Sequence, residues 1–357
     1  MSSFRTFVRQ AAQAERRTFA VVAISACVLT ISPMVQAQGA TASKAALSQT
    51  KVRIALQPDP ALAPIVVAMK KGWFKEAGIE TVETKMFTAG VEAGQALVAG
   101  SIDVWQPASV PAISLINRGA PVRIVGQGSK CRLESLLVRP DAGVKNPEDL
   151  YKTSIAVLQG STLNAYLANL ARHYGLDFSK LKIVNMTPAE SLAALISGGV
   201  GAAVTFPPTT GKAMHEARAI EVAGRVSGFE KDKGSKAEFS QTRCILVMNE
   251  GFTSKHPDTA TAVLATIMRA QKYLSQPGNT EEAQRIFVEW SGQKLADVQA
   301  AWSLYQFPIE LDTEFRKDLA DYSTFLEGTG AIKGKALPAD KLLDLRFYNA
   351  ALAKSKG

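Results

Sequence analysis

The chain has 357 residues, 46% of them hydrophobic, with 41 Lys and Arg against 32 Asp and Glu and a formal net charge of +9. That charge is scattered, with no dense basic stripe interleaved with aromatics, which argues against a nucleic-acid partner. The three histidines, His173, His215 and His256, lie far apart and no Cys-x-x-Cys pair occurs, which argues against a structural metal and implies no cofactor.

Arg5, Arg9, Arg16 and Arg17 make a basic leader. An apolar run from Phe19 to Ile31 follows, and Val35-Gln36-Ala37 supplies the small residues expected before a signal-peptidase cut. Residues 1–37 therefore read as a signal peptide, with its apolar run too short for a membrane span. Arg16-Arg17-Thr18-Phe19 also fits a twin-arginine motif with Glu15 in place of the usual Ser or Thr, so the Sec and twin-arginine routes both stay open. Ile24-Ser25-Ala26-Cys27 fits a loose lipobox, but Val28, Leu29 and Ile31 continue the apolar run past the cysteine, so a soluble mature chain is expected. Residues 38–50 are small and polar and read as a flexible tether.

The mature chain is long enough for two cores. Strands are predicted at Lys51–Leu56, Thr81–Phe87, Ile102–Gln106 and Val122–Val125, alternating with apolar helices. Glu134–Arg139 carries the chain onward to strands at Ser154–Leu158, Lys182–Met186 and Val200–Phe206, and Arg243–Asn249 returns it. Alternating strands and helices imply parallel α/β sheets. The expected division is lobe 1 at 51–139, an inserted lobe 2 at 140–242, and lobe 1 again at 243–357, where helices at Pro257–Leu274, Thr280–Trp290, Leu295–Tyr305, Thr313–Gly328 and Pro338–Ala353 pack on lobe 1. An internal echo supports the two lobes. Ala96-Leu97-Val98-Ala99-Gly100-Ser101-Ile102-Asp103-Val104 is answered 98 positions later by Ala194-Leu195-Ile196-Ser197-Gly198-Gly199-Val200-Gly201-Ala202, each copy leading to a proline, Pro107 or Pro207.

Ligand in such a fold sits in the cleft lined by the carboxyl ends of strands. One wall is then Gln57, Pro58 and Asp59 with Gln106, Pro107 and Ser109, whose amide and hydroxyl groups suit an anion. Opposite lies Gly160-Ser161-Thr162, a glycine turn into a helix whose unpaired N–H groups and hydroxyls face the positive end of the dipole. Taken alone that triplet is an ordinary N-cap; facing a cleft it becomes an anion seat. Phe206 ends its strand and covers an apolar part of the ligand or enters the core. Arg132 and Arg243 flank the two expected crossing strands, and Arg132 is the stronger candidate for a bidentate contact. With Leu136 opposite Leu246, Cys131 and Cys244 fall beyond disulfide reach, so two free thiols are expected.

Lys71-Gly72-Trp73-Phe74-Lys75-Glu76-Ala77-Gly78-Ile79, the Ala96–Val104 segment, Gly119-Ala120-Pro121-Val122-Arg123-Ile124-Val125-Gly126 and Val144-Lys145-Asn146-Pro147-Glu148-Asp149-Leu150, taken in order over about 51–250, resemble the sulfonate, taurine and nitrate branch of periplasmic solute-binding proteins. The resemblance implies a type II periplasmic-binding-protein fold, two α/β lobes joined by hinge strands with a helical C-terminal tail on lobe 1. It implies a periplasmic monomer that is not an enzyme, captures a small organic anion and serves an ABC permease in the inner membrane. The sequence departs from that family at Gly201, where Asp is usual, and at Phe206-Pro207-Pro208, where Trp-x-Pro is common. Nitrate, aromatic carboxylate and a thiamin-precursor pyrimidine remain alternative ligands. A desulfinase-like enzyme on the same fold is a further alternative, but its nucleophilic cysteine has no counterpart in the Gln57-Pro58-Asp59 turn.

Overall fold

A computed structural model describes residues 46–87, 90–237, 239 and 242–355. The export leader, its cleavage site and most of the tether lie outside the described residues. Strands occur at β1 Lys51–Leu56, β2 Thr81–Met86, β3 Val104–Trp105, β4 Val122–Cys131, β5 Ser135–Val138 and β6 Ser154–Val157. They continue as β7 Lys182–Asn185, β8 Ala202–Thr205, β9 Ile220–Ala223, β10 Thr242–Asn249 and β11 Tyr305–Gln306. Two sheets result, one in the order β11-β4-β10-β3-β1-β2 and the other β7-β6-β8-β5-β9.

The internal echo is a topological repeat. The helix Gly90–Val98 leads to β3, which pairs parallel to β1, and the helix Pro188–Ser197 leads to β8, which pairs parallel to β6. Beside β3 runs the antiparallel β10, and beside β8 the antiparallel β5. The orders β2-β1-β3-β10 and β7-β6-β8-β5 are therefore the same arrangement used twice. One position of the echo differs for a packing reason. Asp103 in the first copy pairs with Arg53 at 2.6 Å and accepts from the Arg53 backbone N–H. Its counterpart Gly201 has no side chain because a Cβ there would collide with the Thr153 hydroxyl.

Period-two alternation assigns each strand face to a layer. In β10, Leu246 and Met248 join the core formed with Val52, Ile54, Ile65, Val263 and Phe347. Ile245 and Val247 point the other way, into the core of Leu97, Val110, Ile113, Phe315 and Leu319. The second sheet is covered likewise, with Leu136 and Val204 facing Leu163 and Leu167, and Leu137 and Ala203 facing Leu195 and Ala213.

Several boundaries differ from the sequence reading. Ser135–Val138, assigned above to lobe 1, hydrogen-bonds within the second sheet, because its four buried residues find partners on both sides, in β8 and β9. β4 continues to Cys131 rather than stopping at Val125, since β10 pairs with it along its whole length. The helix expected to reach Tyr305 ends at Trp302, and Tyr305–Gln306 becomes an edge strand against Cys131 and Lys130. The last expected helix is two, Ala339–Leu342 and Leu345–Ser355. Among the tail helices, Thr313–Gly328 packs on the first sheet's layer and also meets Ala165 of the helix Thr162–His173.

Arg243, at the start of β10, is 1% exposed. Its guanidinium donates to Asp318, to Glu314 at 3.0 Å and to Gln127 Oε1 at 2.9 Å, and its carbonyl accepts from Ser109 Oγ at 3.0 Å. A ligand contact from this residue, raised above, is thereby ruled out: every edge of the fork faces the helix Thr313–Gly328 or β4. Removing one partner of a buried ion network strands the others. Replacing Arg243 with Met is expected to lower stability by about 3–5 kcal/mol, read as a fall in the urea midpoint. An unchanged midpoint would show that the network contributes little.

Candidate functional site

β1, β3 and β4 run in one direction and β10 in the opposite one, so Asp59, Gln106 and Cys131 gather with Thr242 at one edge of the first sheet. In the second sheet β6, β8 and β9 share a direction, and their carboxyl ends meet the start of β5. The chain passes from one edge to the other through Arg132-Leu133-Glu134, between β4 and β5. The carboxyl-end loops of both sheets are thus joined at this crossing, where an α/β sheet offers a ligand site.

The first wall is mostly support. Gln106 is 2% exposed, and its Nε2 donates to Ala61 O at 2.6 Å, tying the turn after β1 to the end of β3. Its side chain fills the space above Gly128, where a Cβ would collide with it. Pro107 is buried and its carbonyl accepts from Ile245 N, while Ser109 is fully buried on the Arg243 carbonyl. Gln57 is half-buried, and Pro58 is exposed with its carbonyl held by Gln293 at 2.6 Å. Asp59 accepts from Ala61 N at 2.8 Å and from the Tyr305 hydroxyl at 2.9 Å. Burial pushes its carboxyl above the ordinary range, against those two hydrogen bonds.

On the second wall Ser161 is the N-cap residue of the helix Thr162–His173, but its hydroxyl turns back to Leu158 O at 2.6 Å. The Gly160 N–H donates to Asn164 Oδ1 at 3.3 Å. Thr162 lies near the carboxylate of Glu134, a residue not singled out from sequence, and favours its charged form. Glu134 is 7% exposed and also accepts from the Thr242 hydroxyl and from Leu133 N at 3.3 Å. The protein's own carboxylate therefore stands at the helix start. Phe206 is 37% exposed at the end of β8, followed by a cis Pro207–Pro208 peptide.

Arg132 lines a cavity of 210 Å³ with Lys130, Cys131, Arg225, Ser303, Leu304 and Gln306. Three cations and no carboxylate form this lining, Lys130 and Arg132 from the first sheet's edge and Arg225 just beyond β9 of the second. Lys130 is paired with Glu314 at 3.4 Å. Lys130, Arg225 and the β11 segment were missed from sequence. They are scattered along the chain, and β11 is two residues long, so no local pattern marks them.

The cysteine expectation is corrected in part. Both thiols are free and buried. The register places Cys131 opposite Thr242 and Leu246 opposite Gly126, not Leu136 opposite Leu246, because β5 leaves for the other sheet. Cys131 and Cys244 are therefore near enough for their thiols to influence each other. That proximity and burial push the Cys131 thiol well up, with Glu134 and Asp59 adding to it.

Burial raises the Glu134 carboxyl above the ordinary range, outweighing its hydrogen bonds from Thr242 and Leu133 and the influence of Thr162. A carboxyl with a raised folded-state pKa contributes stability that is fully present below the unfolded value of about 4.3 and lost as pH rises through the folded value. Glu134→Gln keeps an acceptor for Thr242 but cannot ionise. Its stability relative to the parent should therefore increase between pH 4 and pH 7 in urea titrations; a pH-independent difference would contradict the burial shift.

Residues 59–279 match the family model described as NMT1/THI5 like. The taurine-binding periplasmic protein of Escherichia coli (strain K12) is 25% identical over 299 residues, covering 80% of this chain and 89% of that protein. Among solved structures, the periplasmic aliphatic sulphonate binding protein SsuA from Escherichia coli superposes with a TM-score of 0.67 at 19% identity, covering 83% of this chain and 92% of that one. The desulfurization enzyme DSZB shares the fold at a TM-score of 0.60 and 13% identity, covering 86% of this chain and all of that one.

Proposed function

Because the chain belongs to the NMT1/THI5-like family, we propose that it is the extracytoplasmic substrate-binding component of an ABC importer, capturing a small organic anion of the sulfonate class. The observation that carries this reading is the cavity bearing Lys130, Arg132 and Arg225, with one cation drawn from beyond the second sheet and two from the first. An anion entering there is bound from both sides, and closure of the two sheet units around it is the signal a permease reads. We take the units as the two lobes, hinged at Arg132–Glu134 and at the return into β10. Gln57, Pro58, Asp59, Gly160, Ser161, Thr162 and Phe206 form the surrounding walls, and Gln106, Pro107 and Ser109 brace them from behind. No cofactor enters this mechanism.

Binding rather than catalysis is favoured by the residues present. A nucleophile needs an exposed, activated group. Cys131 and Cys244 are 3% and 8% exposed, and the Cys131 thiol is pushed away from its reactive form. The relative named above is periplasmic, and among the described residues no helix is long and apolar enough to cross a membrane. We place this chain in the same compartment, as a monomer, with cleavage after Ala37. Intact-mass measurement of the exported protein should show a chain starting at Gln38; a lipidated Cys27 would overturn that assignment.

Calorimetric titration with ethanesulfonate tests the anion site. Hydrogen bonds to charged groups contribute ~1.5–3 kcal/mol, so Arg225→Ala should weaken binding by about tenfold or more at unchanged melting temperature. Unchanged affinity would remove this cavity from the binding site. Preference for nitrate, an aromatic carboxylate or a pyrimidine over the sulfonate would replace the ligand class.

A further inference from the structure

β11, β4 and β10 lie side by side, and their register sets Tyr305, Cys131 and Thr242 in one row across the first sheet. Cys131 lines the cationic cavity, as do Leu304 and Gln306 on either side of Tyr305. The outer two members of the row each hold a carboxyl. The Tyr305 hydroxyl donates to Asp59 at 2.9 Å, and the Thr242 hydroxyl donates to Glu134, two residues beyond Arg132. A backbone N–H joins each, Ala61 N on Asp59 at 2.8 Å and Leu133 N on Glu134 at 3.3 Å. Glu134 is buried, and Asp59 is half-buried with its carboxyl turned inward to Tyr305. An acid therefore stands on each flank of a wall residue of the anion cavity, held by neutral donors. A like charge arriving nearby disfavours the ionised form of both. Burial already holds both carboxyls above their ordinary range, which leaves them closer to protonation than exposed acids.

Resting on the anion-site reading above, we infer that capture of the anion is coupled to uptake of a proton by the flanking carboxyls of Asp59 and Glu134. A carboxylate oxygen takes the proton from solvent on binding and returns it on release, and no other bond changes. Coupling is reciprocal, so the proton that the anion recruits also tightens the anion. The cations Lys130, Arg132 and Arg225 supply the attraction, and the proton removes the opposing charge. Other groups face the same carboxyls. Burial raises the hydroxyls of Tyr305 on β11, Tyr166 on the helix Thr162–His173 and Tyr322 on the helix Thr313–Gly328 well above their ordinary value. Neighbouring Cys244, with burial, does the same to Cys131. These four stay neutral near pH 7. Asp318 and Glu314 of the tail helix are engaged by Arg243, and Glu221 of β9 accepts from Ser135, next to Glu134. Among the described residues no histidine lines the cavity.

Ethanesulfonate, an anion throughout, is titrated calorimetrically into the mature protein from about pH 5 to about pH 9, above the ordinary carboxylate values. Bis-Tris and Tris serve as buffers because they carry no sulfonate and differ in ionisation heat. The parent should show a binding enthalpy that differs between the two buffers at one pH, in the sense of proton uptake. Its affinity should fall by about tenfold or more as pH rises, the effect of a one-unit shift in one carboxyl. Asp59→Asn and Glu134→Gln should each shrink both effects and together abolish them, with tighter binding at the high-pH end. Tyr305→Phe removes a donor that favours the ionised Asp59, so it should move the fall in affinity to higher pH; this check stands where the carboxyl variants do not fold. Measurable binding with equal proton balance and a flat pH profile overturns the inference without touching the anion site. A pH dependence that survives in the double variant assigns the proton to another group, Glu221 first, and also overturns it. Absence of binding by the parent at every pH takes down the anion-site reading itself.

Discussion

The architecture depends on one buried guanidinium. Arg243 opens β10, the strand that returns the chain to the first sheet, and its side chain binds Gln127 of β4 together with Asp318 and Glu314 of the helix Thr313–Gly328. The same residue's carbonyl holds Ser109 at the start of the helix Ser109–Asn117. Strand register, tail helix and loop after β3 are thus referred to a single point, one residue from Thr242. Fully desolvated charges are tolerated only when every partner is in place. A network of this kind ties the β4–β10 pair together where the chain crosses between sheets.

The segments at that crossing carry the polar chemistry. The crossing Arg132-Leu133-Glu134 holds opposite charges two residues apart, and because it is irregular rather than strand, where i and i+2 would share a face, Arg132 lines the cavity while Glu134 is buried against Thr242. Separation of the two signs by so short a stretch makes the site dipolar. Thr242 of β10 donates to the Glu134 carboxylate, and Thr162 of the second sheet's helix lies beside it.

Much of this was legible in the residues. The repeated segment ending at Val104 and Ala202 foretold that the same parallel pair would be built twice, and it did so because the pattern combines local signals: an apolar helix, a glycine stop, a buried strand. Among its differences, Asp103 against Gly201 was visible in the sequence, though its cause, the Thr153 hydroxyl, was not. β9 and β11 escaped notice because Ile220–Ala223 is half exposed and Tyr305–Gln306 is two residues long, so neither offers alternation to detect. The register behind the free-thiol expectation was misjudged for a non-local reason, although the thiols are free as expected. Register depends on which strand leaves the sheet, and the assumed Leu136–Leu246 pairing put β5 in the wrong one.

The site was legible by wall but not by role. Glycine, serine and threonine at a helix start point to an anion, and the chain itself brings a carboxyl group, that of Glu134, beside Thr162. Sequence reasoning weighs a helix N-terminus by what could come to it from solvent and has no means of seeing a carboxylate delivered from 28 positions earlier. The same blindness applied to Gln106 and Ser109, which suited a ligand on paper; in the fold both are buried, the Gln106 Nε2 donating to Ala61 O and the Ser109 hydroxyl to Arg243 O. Polar residues at strand ends divide into those that brace the loops and those that meet the ligand, and burial with satisfied partners separates the two classes. By burial, the ligand-facing set proposed above shifts from the amides of the first wall to the more accessible cations of the crossing and of the loop after β9.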